Sequence, residues 1–120
     1  MTVQTMEELV AKKCAPCEGK AEACSVEEAQ DQLLRLQGWR LTRYGTRIRK
    51  EWVVKDFAAG MLFLRKVADL AQTEDHHPDL HLEGYRNVSI ELSTHAVDGL
   101  SENDFILAAK IDALPVKLKR

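Results

Sequence analysis

The spacing of apolar residues along this chain switches between a helical repeat and a two-residue alternation, and the switches predict its elements. Val3, Met6, Leu9 and Val10 give the first 13 residues a modest apolar pattern that suits a short helix or an arm. Residues 14–24 gather Pro16, Gly19 and small side chains, which predicts a loop. Ser25 stands three residues before Glu28, so its hydroxyl and the Glu28 carboxylate can each accept the other's free backbone N–H at a helix start. That helix is predicted to run to about Leu36, with Ala29, Leu33, Leu34 and Leu36 on its apolar face and Gly38 as its stop.

From Trp39 the repeat shortens. Trp39, Leu41 and Arg43 alternate with Arg40 and Thr42, Tyr44-Gly45-Thr46 offers a turn, and alternation resumes over residues 48–54. Two antiparallel strands in a hairpin are predicted. Asp56 can cap a second helix, in which Phe57, Met61, Leu64, Ala68 and Ala71 recur at spacings of four, three, four and three. Phe63, Val67 and Leu70 widen that stripe, which predicts the helix packed most deeply on a sheet. Gly60, about 1 kcal/mol less favourable in a helix than alanine, points to a close approach there. Beyond Thr73 the pattern breaks at Glu74-Asp75-His76-His77-Pro78-Asp79, a polar connection stiffened by proline.

A short strand over 80–84 and a firmer one over 85–94 follow, the second with Val88, Ile90 and Leu92 alternating with Ser89, Glu91 and Ser93. His95 continues the polar parity and so falls off the apolar core if the strand persists that far. Ser101 and Asp104 repeat the capping pattern, and the apolar residues from Phe105 to Ile111 form a last helix that Pro115 ends. The order helix, strand, strand, helix, strand, strand, helix predicts an α+β fold, a four-stranded antiparallel sheet with three helices packed on one face. With 120 residues the chain can bury one core, so we expect an N-terminal arm over 1–24 and a single domain over 25–120.

Composition narrows the function classes. At 45% hydrophobic and 30% charged residues the chain reads as globular, neither disordered nor membrane-embedded. No apolar run approaches the roughly 20 residues that cross a bilayer. Glu7 and Glu8 stand where a secretory leader would be apolar, so a cytoplasmic location and no membrane partner are expected. The net charge of -2, with acids and bases interspersed, predicts no direct nucleic-acid binding, and Lys117, Lys119 and Arg120 read as a solvated tail. Three cysteines, Cys14, Cys17 and Cys24, do not suggest a disulfide framework. Cys14-Ala15-Pro16-Cys17 has the spacing of a redox pair but lacks the preceding strand and following helix. An arm without special chemistry is the leading expectation, ahead of redox use or transient metal binding with Cys24. Trp39 and Trp52 are expected in the core.

Candidate chemistry lies in the histidines. His76, His77 and His81 fall within six residues and His95 follows a strand. Imidazole exchanges protons near neutrality, so a pair on a stiff loop and a third at a strand end suit general acid–base work. Solvated side chains would give the same spacing. A zinc centre using Asp75, Asp79 or Asp98 would match none of the short zinc motifs, and Pro78 works against a helical His77/His81 pair. Spacing alone leaves these readings open.

The combination His76-His77-Pro78, Tyr85, Ser93-Thr94-His95 and Gly99-Leu100-Ser101-Glu102-Asn103-Asp104 resembles the pterin-4a-carbinolamine dehydratase family. Gly38-Trp39 and the long helix from Phe57 add to the likeness, which covers residues 25 to 113. The resemblance implies a three-helix, four-stranded domain that forms homodimers or homotetramers. It implies dehydration of 4a-hydroxytetrahydropterin to quinonoid dihydropterin and water, in tetrahydropterin recycling, without metal or other cofactor. His76, His77 and His95 would line the pocket, with His76 or His95 protonating the departing hydroxyl, His77 positioning the substrate and Asp104 supporting the cleft. Pro78, Ser93 and Thr94 would stand beside them. An interface between copies would come from the open sheet face or the last helix. Two other outcomes are carried: a non-catalytic, coactivator-like binding module, and a pterin-binding enzyme of molybdopterin metabolism. The chain departs from the family pattern at Gln72, where a carboxylate is usual and Asp75 is the candidate replacement, and at His81, where an aromatic residue is common and which is expected to face solvent.

Overall fold

The computed structural model describes residues 2–15 and 23–120. Helix α1 (Met6–Val10) is followed by α2 (Val26–Leu33), strands β1 (Arg40–Thr42) and β2 (Arg47–Val53), helix α3 (Phe57–Glu74), strands β3 (Asp79–Glu83) and β4 (Asn87–Leu92), and helix α4 (Glu102–Asp112). The strands form one antiparallel sheet in the order β1-β2-β4-β3. The predicted α+β class, the hairpin and the four strands are all present.

Register explains the layering. Ile48, Lys50 and Trp52 of β2 stand opposite Leu92, Ile90 and Val88 of β4, and Leu80 and Leu82 of β3 oppose Ile90 and Val88. The period of two therefore collects nearly all the apolar side chains on one face. The other face carries Arg47, Arg49, Glu91 and His81, with Glu91 bonded by both arginines. Trp39 and Trp52 pack edge to face at 5.9 Å between ring centroids, and Phe63 of α3 lies 5.1 Å from Trp52, so both tryptophans are core residues as expected.

Each cap read from sequence forms. Ser25 and Glu28, and Ser101 and Asp104, make reciprocal capping boxes, Thr5 and Glu8 make a third, and Asp56 accepts the Ala59 N–H. Three packing expectations fail. Helix α2 ends at Leu33, because Leu34, Arg35 and Leu36 turn to tighter bonds with carbonyls three residues back. That unwinding sends Leu36 into the core and leaves Leu34 83% exposed. On α3 the buried row is Ala59, Gly60, Phe63, Val67, Ala71 and Glu74, while Phe57 and Met61 of the expected stripe are 54% and 51% exposed. The rotation follows from Gly60, where a Cβ would meet Leu82 Cδ1 at 3.2 Å and Val54 Cγ2 at 3.3 Å. The most enclosed helix is α4, not α3: Asn103 through Ala109 and Ile111 are all buried within the chain.

The N-terminal segment is docked. Leu9 is buried in the common core, and Gln4 and Gln32 exchange bonds, N–H to Oε1 at 2.9 Å and Nε2–H to the Gln4 carbonyl at 2.8 Å. Among the described residues no helix is long and apolar enough to cross a membrane.

Candidate active site

The site begins where α3 stops. Asp75 takes a left-handed conformation, φ 52°, as the C-cap, which turns the chain sharply and sends the next side chains in different directions. His76 enters the interior, 6% exposed, whereas His77 faces solvent. Pro78 then leads into β3.

His76 meets Asp104, which is 0% exposed. Its Nε2 lies 2.7 Å from Asp104 Oδ1. Asp104 Oδ2 accepts the Thr94 hydroxyl at 2.8 Å and the Ser101 N–H at 3.0 Å, and the Thr94 and Ser101 hydroxyls are 2.7 Å apart. A capping residue thus doubles as the anchor of a buried imidazole. The Thr94 hydroxyl and the Ser101 N–H both donate to it, so this buried carboxyl group is well supplied with hydrogen bonds. Against a carboxylate, which only accepts, His76 Nε2 would be the nitrogen that carries the proton.

Asp104 also joins two stretches of chain. Thr94 precedes His95, which opens a single 3-10 turn (His95–Val97) after β4 has ended at Leu92. A bridge between Thr94 and Gly99 closes this corner, N–H to carbonyl at 2.7 Å. His95 is exposed, as expected, though through the turn and not through strand parity. It lines a cleft of about 170 Å³ with Arg47, Ser93, Thr94 and Asp98. His76 and His77 lie outside that lining and are connected to it through Asp104 and Thr94. Arg47 is held by Asp79 at 3.1 Å and Glu91 at 3.3 Å.

His77 Nε2 is 2.7 Å from Gln72 Oε1, so the neutral side chain in place of the family's usual carboxylate contacts an imidazole directly. Asp75 is the exposed helix cap, and no contact with a histidine side chain is found for it among the described residues. It does not take over the carboxylate's place. His81 is exposed, on the open sheet face opposite Ser89. No cluster of three or more histidine, cysteine, aspartate or glutamate side chains among the described residues is arranged to hold a metal ion.

Sequence reasoning did not single out Glu74 and Asn103. Glu74, two residues before His76, accepts the Cys14 N–H and the Lys110 ammonium, each at 2.8 Å. Burial opposes its ionisation, but Lys110 and the Cys14 N–H outweigh that and hold the carboxyl below its ordinary range. Asn103 exchanges bonds with the Ala15 backbone at 2.9 and 2.8 Å. The arm therefore braces both sides of the His76–Asp104 pair. Burial, reinforced by the Glu74 charge, pushes the Cys14 thiol up to about 12, which leaves it unreactive at neutral pH. Cys17 lies outside the described residues, so the Cys14–Cys17 redox reading has no geometry to weigh.

A helix-backed antiparallel sheet with a buried histidine–carboxylate pair at one end defines a small α+β domain with a candidate site at the end of its long helix. The sequence model of the family described as pterin 4 alpha carbinolamine dehydratase matches residues 22–114, and the chain belongs to that family. It is 47% identical over 119 residues to the mitochondrial pterin-4-alpha-carbinolamine dehydratase 2 of Arabidopsis thaliana, covering 97% of this chain but 64% of that longer one. A Nitrosospira multiformis relative assigned to the same family is 46% identical, covering 92% of this chain and 95% of its own length. Among solved structures, one described as a transcriptional coactivator/pterin dehydratase from Brucella melitensis superposes with a TM-score of 0.72 at 29% identity, over 77% of this chain and 97% of that one.

Proposed function

We propose that this protein dehydrates 4a-hydroxytetrahydropterin to quinonoid dihydropterin and water, with His76, His77 and His95 as its working groups. The observation that carries the reading is the buried Asp104 carboxylate, which ties His76 to the Thr94–His95 corner. A carboxylate partner fixes the orientation of an imidazole, so His76 is held in place for its part in proton exchange. His95, exposed in its cleft, is the opposite exchanging group. One ring protonates the 4a hydroxyl, the C4a–O bond breaks and water leaves. The N5 lone pair forms the C4a=N5 bond, and the N5 proton passes to the other ring. His77, held by a neutral amide, positions the substrate, and Pro78, Ser93 and Thr94 hold the walls.

The decisive experiment follows dehydration of 4a-hydroxytetrahydropterin by ultraviolet absorbance for the wild type, His95→Ala and His76→Ala/His95→Ala, with folding checked by circular dichroism. We expect acceleration by the wild type, a loss of about 100-fold in the single variant and near-background rates in the double one. A folded wild type that does not exceed buffer would sink the reading.

The same proposal places the protein in the cytoplasm as a homodimer or homotetramer acting in tetrahydropterin recycling. Phe57, Met61 and Leu62 on the outer side of α3 are half-exposed and supply an apolar patch for self-association. A protomer mass in light scattering at micromolar concentration would reject it. The plant relative is named as mitochondrial, so cell fractionation decides the compartment.

A second reading, a coactivator-like binding module, draws on the same α3 patch and on the description of the Brucella structure. It predicts a biological role that survives loss of His95 and fails with Phe57→Ser/Met61→Ser. Dependence on His95 excludes it.

A further inference from the structure

The tail that reads as solvated in sequence is pinned to the sheet. Lys119 N–H donates to the Val53 carbonyl and Lys55 N–H to the Lys117 carbonyl, each at 2.9 Å, around a bridge between Val54 and Leu118. This pairing brings Lys55, Arg86, Lys117, Lys119 and Arg120 around one groove of about 890 Å³, which no acidic side chain lines. None of the five side chains pairs with a carboxylate among the described residues. Arg86 is fixed, with one Nη donating to the Lys55 carbonyl and its guanidinium 5.1 Å from the Tyr85 ring centroid, yet its buried Nε has no acceptor.

An apolar slot of about 630 Å³, lined by Trp52, Ile111 and Leu114, adjoins the groove and shares Val116, Leu118 and Lys119 with it. The slot's acids are neutralised: Asp112 accepts from Lys50 at 2.9 Å and from Trp39 Nε1 at 3.0 Å, and Glu51 pairs with Arg40 at 2.6 Å. Both volumes fall in the range of small-molecule sites, about 300–1,000 Å³.

We propose that groove and slot together bind an organic oligophosphate, with two or three linked phosphates among the cations and a partly apolar body in the slot against the half-exposed Leu118. Unneutralised lysines and a fixed guanidinium around one groove match several negative charges packed closely. A long polyanion is a poorer match, because the cations beyond the groove on the open sheet face, Arg40, Arg47 and Arg49, already pair with acids. The site is separate from the histidines. Arg47 at one end of β2 lines the His95 cleft and Val53 is at the other end, six residues or about 20 Å away.

The test titrates the 120-residue chain with ATP, tripolyphosphate, adenosine and a single-stranded oligonucleotide at about 0.1 M salt, reading tryptophan fluorescence and calorimetric heat. We expect saturable ATP binding, weaker binding of tripolyphosphate and adenosine, and at least a tenfold loss of ATP affinity in Lys117→Ala/Lys119→Ala and in Lys55→Ala. Both variants should keep the wild-type dehydration rate. ATP binding that is absent at millimolar concentration, or unchanged in the folded variants, overturns the site. Tripolyphosphate binding as tightly as ATP removes the slot from the proposal, and tighter binding of the oligonucleotide replaces it with a nucleic-acid surface. Dehydration is read separately, so failure of the enzyme reading and failure of this site are distinguishable.

Discussion

His76 and His77 are neighbours in the chain and opposites in surroundings. The first is buried with its Nε2 on a carboxylate that no solvent reaches, and the second is exposed with its Nε2 on a neutral amide. A carboxylate orients an imidazole and sets a negative group beside it, whereas an amide orients without adding charge. One loop therefore holds two neighbouring rings against partners of different charge, one inside the protein and one at its surface. The left-handed cap at Asp75 is the local cause of the divergence.

The largest effect should come from removing the anchor on the His76 side. Asp104→Ala strands the donors of His76, Thr94 and Ser101 and should cost about 3 kcal/mol of stability, read as a lower denaturant midpoint, together with most of the dehydration rate. Next, Gln72→Glu would erase the contrast by giving both histidines carboxylate partners. Because His77 positions the substrate, we expect KM to change more than kcat and the pH dependence of the rate to stay where it is. A rate profile displaced in the folded variant would mean that His77 itself exchanges the proton. Thr94→Val keeps the shape but removes the hydroxyl between Asp104 and Ser101. It should cost about 1 kcal/mol in unfolding and lower kcat more than it changes KM.

The smallest effect concerns acid. Glu74 and Glu91 are held below the ordinary carboxylate range: burial opposes ionisation in each, and Lys110 with the Cys14 N–H, or Arg49 and Arg47, outweighs it. Folded values below the unfolded 4.5 mean that their contribution is in place above that pH and is lost as pH falls through the folded values. Thermal melts should decline below about pH 4.5, and Glu74→Gln should flatten that decline.

Local signals were legible and tertiary ones were not. The caps at Ser25, Asp56 and Ser101 and the alternation through Val88, Ile90 and Leu92 depend on neighbours within a few residues, and they form as read. The face that α3 buries depends on Val54 and Leu82 meeting Gly60, contacts that periodicity does not contain. In the site, residue types pointed to the histidines and to Asp104, but which histidine meets the carboxylate is decided by the turn at Asp75. Glu74 left no trace in the sequence, because its partners Cys14 and Lys110 are 60 residues before and 36 residues after it. The tail went unread for the same reason: a basic stretch looks alike whether solvated or paired with Val53 and Lys55.

The arm's attachments have a consequence in time. Its hydrogen bonds from Gln4, Cys14 and Ala15 span 98, 60 and 88 residues. Loops of that length are entropically costly to close before their far ends are in place, so the arm should seat only after α3, the sheet and α4 have assembled, and should come away first. Amide exchange at Cys14 and Ala15 should be faster than through β4, and equal protection would show that arm and sheet open as one unit. On this order of events the arm, made ahead of the sheet and helices it docks on, is among the last parts to fold, and the loop that carries His76 gains its outer support only when the arm returns.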